Sequence, residues 1–490
     1  MDFVQRIRPA YVLHAAHFLF LEADMENTKM SAMPVKKLML SMGIPMIVSM
    51  VLQAVYNIVD SAFVSNMVTG GEQALNALTL AFPMQILMVA VGIGTGVGAN
   101  VLTAKNLGAG NKEQASRAAG NAEFMAAVIY VAFLLFGLFG AEAYIGSQTS
   151  DSVIAFMGTD YLRICSVLSF GMSFFAIYEK LLQATGHSIY STIAQIAGAV
   201  TNIVLDPIMI YGWLGLPGMG VKGAAYATVI GQIVSFVLAL VFHFRVNTDI
   251  ENKLSYLKPS LRVIKQIYSV GLPAIISQAL ISVMTYGMNL ILGGISADAV
   301  TAYGLYYKVM QFLLFAAFGM RDAIMPITAF SFGMGDSARI HDSIKYGHIY
   351  TFIIMLAGTL SLEIFAEPFA AIFGLSGVTN DLCVSAMRII SLSFVFAGAN
   401  IAFQGIFQAL GAGFSSLVIS VCRQLLFVFP FAWLFAAMSG GTAENAWYVW
   451  ITFPIAEVLT AAAAVFLHIR IMRTTVADRC LAVKAERVYP

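Results

Sequence analysis

The sequence predicts an all-α integral membrane protein with about twelve transmembrane helices in two homologous six-helix halves. Three observations predict it. Apolar residues make up 59% of the chain and charged residues 11%, with a mean hydropathy of +0.82; a soluble domain carries roughly 25% charge. Stretches of about 20 mostly apolar residues, the length that crosses a bilayer, recur along the whole chain. And the chain is written twice.

The repeat is carried by polar and glycine landmarks at a constant offset. Arg163 in YLRICS recurs 225 residues on as Arg388 in AMRIIS. Gln183, Ala184 and Gly186 recur as Gln408, Ala409 and Gly411, and His243 and Arg245 as His468 and Arg470. Gly108 and Gly110 recur as Gly333 and Gly335; nearer the start, Gly43, Pro45 and Ser49 recur as Gly271, Pro273 and Ser277, 228 residues on. Apolar composition alone does not place charged residues in register over this length. Paired membrane halves around a shared site are the usual build of a secondary transporter.

Taken in order, spans centre near Met50, Met88, Ile129, Val167, Thr201 and Ser235 in the first half. In the second they centre near Ser282, Leu314, Leu356, Phe396, Phe427 and Leu459. One set of connections carries Lys105, Lys112 and Arg117, then Arg245, Lys253, Lys258, Arg262 and Lys265, then Arg339 and Lys345, then the basic residues from Arg470 to Arg487. The alternate connections carry only Lys222. This asymmetry predicts an even number of spans, with both termini in the cytoplasm of a multi-pass inner (plasma) membrane protein.

The expected divisions are an N-terminal extension at 1–33, an N-lobe at 34–246, a cytoplasmic linker at 247–262, a C-lobe at 263–473 and a cytoplasmic tail at 474–490. The extension mimics a signal peptide, with a basic start and a short apolar run but no small-residue cleavage site; Met25 and Met30 are alternative starts. The stretch from Asn247 to Lys258 is the most polar internal one, which predicts the linker.

Composition also excludes classes. A net charge of +1 gives nucleic-acid binding no electrostatic basis. The four cysteines, Cys165, Cys383, Cys422 and Cys480, form no CxxC pair, so neither a zinc site nor a disulfide framework is indicated. GIGTGVGAN, Gly92 to Asn100, superficially suggests a nucleotide loop. It lies within a span, where Gly92/Gly96 and Gly94/Gly98 are GxxxG pairs for close helix packing. GAGNK at Gly108 to Lys112 lacks the spacing and the Ser/Thr of a phosphate loop. With no ATPase motif, any pumping draws on an ion gradient. No cofactor is expected.

Polar residues inside apolar spans are costly there and mark function. Asp60 lies deep in the first span, with Asn57 three residues earlier on the same face. Asp206 lies in the fifth, with Asn202 four residues earlier and the helix-breaking Pro207 next to it. A buried carboxylate is a natural proton carrier. At the matching offsets Asn57 and Asp60 become Thr285 and Met288, and Asn202 and Asp206 become Phe427 and Phe431. The scaffold is doubled and this acid–amide cluster is not, which points to coupling chemistry in the first half.

The second half carries its own polar set. Gln278, Asn289, Tyr303, Tyr307, Lys308 and Gln311 are candidates for a substrate-facing surface, with Lys308 among tyrosines offering cation–π contacts. A lysine that pairs with a carboxylate or snorkels to an interface is the competing reading. Arg321 and Asp322 read as an internal ion pair; Arg163 and Arg388, present in both halves, read as scaffold. The 26 methionines and 36 phenylalanines suit packing first, and an adaptable apolar pocket second.

The segments AVYNIVDSAFVS, LGAGN, QATG and NIVLDPIMI, the GVKGAAYATVIGQ run and the repeated GLP together resemble the multidrug and toxic compound extrusion (MATE) transporters, over nearly everything from Pro34 to Arg470. The resemblance implies two six-helix lobes around a central cleft. It implies export of cationic or amphipathic small molecules in exchange for H⁺ or Na⁺ by alternating access, by a monomer in the lipid bilayer. It places ion coupling, including any Na⁺, at Asp60, Asn202 and Asp206, with Thr228 a weaker match. Acids that some members carry in the seventh and tenth helices are absent here, which makes the chain more similar to the DNA-damage-inducible protein F-like branch.

Other classes fit less well. A lipid-linked precursor or metabolite flippase of the same superfamily would usually carry extra helices and a strongly basic central cavity. A membrane enzyme would need clustered acids, His or Cys at interfacial loops. A channel would more readily be built as an oligomer.

Overall fold

The computed structural model describes residues 29–67, 70–215, 217–372, 375 and 377–488; the signal-like run and the alternative start at Met25 lie outside them. Every regular element among the described residues is helical. The first half comprises α1 (Val35–Ser65), α2 (Gly71–Gly108), α3 (Lys112–Phe139), α4 in two arms (Ser152–Val167 and Phe170–Ala184), α5 (Ser188–Tyr211) and α6 (Val221–Val246). The second comprises α7 (Leu261–Gly293), α8 (Ala297–Met334), α9 (Ser337–Ile372), α10 in two arms (Gly377–Ser391 and Phe394–Ala409), α11 (Gly413–Met438) and α12 (Thr452–Ile471). Ten of these are long and apolar enough to cross a membrane alone, and the two bent pairs bring the number to twelve.

The repeat is visible in the geometry. α2 and α8 each run 38 residues. The arms of α4 meet at 48° and those of α10 at 54°. Serines mark both breaks. In α10, Ser391 and Ser393 donate their hydroxyls to the carbonyls of Arg388 and Ile390, offering the backbone an alternative to the helical ladder. The predicted centre at Val167 falls at the α4 break, because hydropathy registers length and not direction. The turn after α2 is also written twice. Gly110 and Gly335 sit at φ 74° and 66°, where a side chain would be strained. Asn111 and Asp336 then accept the backbone N–H of Gln114 and Arg339 to cap α3 and α9.

Arg163 pairs with Glu142 at 3.3 Å and Arg388 with Glu367 at 3.0 Å, so the duplicated arginines hold duplicated partners. α5 does not break at Pro207 but runs through it to Tyr211. The polar 247–262 stretch is strapped to α3 rather than loose. Asn121 donates to the Tyr256 carbonyl (3.2 Å) and accepts from the Ser260 N–H (2.7 Å), and Ser116 Oγ accepts from the Glu251 N–H (2.8 Å).

The first turns of α1 and α7 cross between the halves. Leu38, Met39, Met42 and Met46 of α1 pack with α8 and α10, while Val263 and Ile267 of α7 pack with α2, α3 and α4. Lipid supplies no hydrophobic force between helices, so small residues must let backbones approach. Both predicted glycine pairs do this, on different faces of α2. Gly94 and Gly98 meet the carbonyls of Gly271 and Ile267 on α7, and Gly92 and Gly96 meet Ala176 and Lys180 on α4. Gly108 lies against the Phe330 carbonyl, Gly333 against the Lys105 carbonyl and Gly319 against the Ile47 backbone. These contacts between halves fall at the start of α1 and α7 and the end of α2 and α8, the side on which the described chain begins and ends.

Candidate ion-coupling and substrate sites

Asn202 and Asp206 stand one turn apart on α5, as expected for a shared face. Asn202 Nδ2 donates to Asp206 Oδ1 at 3.3 Å and lies 3.5 Å from Thr228 Oγ1 on α6. The approach of α6 is set by Gly198 and Gly231, whose missing side chains leave room for Ser235 and for Asn202. Asp206 is fully buried. Asp60 approaches the same region from α1, with Asp206 and with Tyr161 and Cys165 of α4 within its electrostatic reach. Gln85 of α2 donates to the Tyr161 hydroxyl at 3.2 Å.

Three buried oxygens in this cluster lack a hydrogen-bond partner: Asp60 Oδ1, Asn202 Oδ1 and Asp206 Oδ2. Each such group costs about 1–3 kcal/mol when left unsatisfied. Among the described residues no basic side chain pairs with either carboxylate. The three unpartnered atoms are all oxygen, which fits a proton or a hard cation such as Na⁺. The backbone of Asn57 continues α1, and its side chain lies outside the described residues. Gln85, Tyr161 and Cys165 were not singled out from sequence; a tyrosine or glutamine in an apolar span is too common to stand out.

A second polar region lies where the halves meet. A cavity there is lined by Gln278 of α7, Arg321 of α8, Gln404 and Gln408 of α10, and Arg423 and Gln424 of α11, and it is closed by the glycine-bearing face of α2. Of the six residues expected on a substrate surface, Gln278 alone lines this cavity. Tyr303 is a correction: it is 1% exposed and stacks on Trp450 (6.1 Å) and Phe453 (6.0 Å) in the core of the second half. Tyr303, Tyr306 and Met310 share a buried helix face. Tyr307 packs half-buried beside Tyr303, Gln311 is half-buried, and Asn289 and Lys308 are exposed.

Two buried charge clusters went unread in the sequence. Lys180 of α4, 2% exposed, places Nζ 2.7 Å from Asp322 Oδ2 on α8 and 3.0 Å from Gln183 Oε1, with Glu179 at 3.6 Å. The predicted pair does form, Arg321 to Asp322 Oδ1 at 2.9 Å, but Asp322 is shared between the two halves. Within the second half, Arg423 pairs with Glu457 of α12, which accepts from Asn400 Nδ2 at 2.7 Å.

The comparisons agree with this architecture. The MatE family model matches residues 45–208 and again 273–434, once in each half. The multidrug export protein MepA of Staphylococcus saprophyticus is 24% identical over 88% of this chain and 92% of its own length. MepA of Staphylococcus aureus is 23% identical over 89% and 93%. A MATE transporter in the straight conformation superposes with a TM-score of 0.84 at 25% identity, over 94% of this chain and 99% of that one. An outward-facing multidrug resistance MATE family transporter does so with 0.83 at 25%, over 92% and 97%. The doubled helical halves, the bent fourth and tenth spans and the two family matches lead to one conclusion: the chain belongs to the MatE family, a multi-pass membrane protein and a multidrug efflux transporter rather than an enzyme.

Proposed function

We propose that the protein is an ion-coupled antiporter that exports amphipathic small molecules by alternating access, with Asp60 and Asp206 as the coupling carboxylates. The observation that carries this is the set of three unpartnered buried oxygens on Asp60, Asn202 and Asp206. A proton or Na⁺ arriving there removes an unpaired acceptor and cancels charge in a low-dielectric region. α1 and α5 then repack, and because the start of α1 is seated on α8 and α10, the change reaches the other half. Asn202 and Thr228 hold Asp206 in register. Two carboxylates in one buried cluster are expected to act as one unit.

The rocking units are the N-lobe 34–246 and the C-lobe 263–473, joined by the linker 247–262 and followed by the tail 474–490. The basic connections support cytoplasmic termini in the plasma membrane. In that orientation the contacts between halves lie on the cytoplasmic side, which supports an outward-open state. The functional unit is a monomer. The resemblance supplies the expectation of cationic or amphipathic substrates.

The test uses liposomes holding the purified protein, an acidic lumen and no Na⁺, with uptake of rhodamine 123 followed by fluorescence. Uptake that needs the pH gradient and is lost in Asp60→Asn is the expected result. Uptake only under a Na⁺ gradient keeps the site and changes the ion. Full uptake by Asp60→Asn at equal protein would overturn the assignment of this site.

A further inference from the structure

We infer that the cavity between the halves binds an organic anion, its carboxylate, sulfonate or phosphate group held by Arg321 and Arg423; this rests on the transporter reading and names its substrate chemistry. The polar lining of the cavity consists of arginine, glutamine and serine side chains, and no carboxylate lines it among the described residues. An organic cation finds no counter-ion there.

The acids that pair with the two arginines stand behind them. Asp322 is 2% exposed and is held on its far side by Lys180 from the other half. Glu457 is 8% exposed and engaged by Asn400. Each acid therefore anchors its guanidinium from outside the cavity. Asp322 occupies Nε and one terminal nitrogen of Arg321, and Glu457 occupies Nε of Arg423. A guanidinium carries five N–H donors in a planar fork, and no acceptor among the described residues takes the remaining ones. The guanidinium carbon of Arg321 lies 4.9 Å from the centre of the Phe318 ring, a cation–π contact. Arg423 sits on a π-helical turn, Cys422–Leu426, a local distortion that recurs at functional sites.

Two oriented forks with unsatisfied donors match an oxyanion. The net charge of the surrounding cluster is balanced, so the selectivity comes from directed donors and from the absence of a lining acid. The remaining walls, Ile93 and Val97 of α2, Ile281 of α7 and Phe318, are apolar, and the cavity of about 30 Å³ takes the charged group of a molecule rather than its body. Free organic anions and the headgroups of anionic lipids share this chemistry.

The test is equilibrium binding by fluorescence anisotropy to the full-length protein in nanodiscs of zwitterionic lipid. Two dyes of the same xanthene scaffold serve as probes: fluorescein, an anion, and rhodamine 123, a cation. Fluorescein is expected to bind at least tenfold tighter. The double variant R423Q/E457Q removes the fork without stranding its buried partner. It is expected to lose that preference while keeping whatever rhodamine 123 binding the wild type shows. R423K, which keeps charge and loses the fork, is expected to fall between. Tighter binding of rhodamine 123 by the wild type, or unchanged fluorescein affinity in R423Q/E457Q, overturns the inference, as does absence of fluorescein binding. Rhodamine 123 uptake that depends on Asp60, with no fluorescein binding, would leave the antiporter intact and remove only this site. Repeating the titration with phosphatidylglycerol in the nanodiscs separates the two sources: weaker fluorescein binding identifies a lipid headgroup as the natural occupant, and unchanged binding a free organic anion.

Discussion

Lys180 and Asp322 meet across the two halves at 2.7 Å, both almost completely buried. Gly96 makes the contact possible: the stem of Lys180 lies where a side chain on that residue would be. A buried pair of this kind is costly to break and less costly to replace. Removing one charge strands the other, a loss of about 3–5 kcal/mol, whereas apolar residues of similar volume are often neutral or better. Here Asp322 retains Arg321, so Lys180→Met is expected to fall at the low end of that range. Lys180→Met is expected to lower the thermal midpoint in detergent, and Asp322→Leu, which takes a partner from two cations, to lower it more. A stability unchanged by Lys180→Met would show that the pair does not hold the halves together.

Backbone contact between α2 and α7 should tolerate no side chain at Gly98. A methyl group there meets the Ile267 carbonyl, which belongs to a helix and cannot rotate away. Overpacking of this kind typically costs about 1–3 kcal/mol. Gly98→Ala is expected to pry the halves apart on this side. Cross-linking of cysteines placed at Ile267 and Ala99 would read that as a reduced yield, and an undiminished yield would refute it.

The features legible in the sequence were those written locally. GxxxG spacing encodes how near two backbones come, and Gly94 and Gly98 behave as their spacing predicts. Asn202 and Asp206 share a face because four residues make about one helical turn. What failed was orientation about the helix axis. In a bilayer both faces of α8 are apolar, so nothing in the pattern separates Tyr303, which faces the core, from Lys308, which is exposed. Long-range pairing was also hidden. Lys180 sits beside the repeated QATG turn and reads as an end-of-helix charge, because its partner Asp322 lies 142 residues away. Arg423 and Glu457 were separated by a span boundary in the same way.

Asn121 fastens the connection between the halves, donating to the Tyr256 carbonyl and accepting from the Ser260 N–H. Asn121→Ala leaves both backbone groups without this partner and is expected to destabilise by about 1–3 kcal/mol. The release is local. Cleavage by an added protease between Asn247 and Lys258 should rise several-fold in the variant, and equal cleavage rates would show that the strap is held by other contacts.

Asp60 and Asp206 should respond differently to amide substitution, because their surroundings differ. Asp206 accepts from Asn202, so Asp206→Asn places two amides face to face and is expected to cost about 0.5–1.5 kcal/mol for the altered hydrogen bond. Asp60 has an unpartnered buried oxygen and no basic neighbour pairing with it among the described residues. Asp60→Asn removes a charge that the resting fold does not compensate, so folding should be unharmed or slightly improved. Transport should nonetheless be lost, since an amide neither takes up nor releases a proton and is a weaker ligand for Na⁺. That combination, a thermal midpoint at or above wild type with rhodamine 123 uptake at background, is the signature of a residue kept for function at the expense of stability. A midpoint several degrees lower, with transport falling in proportion to folded protein, would instead make Asp60 part of the scaffold.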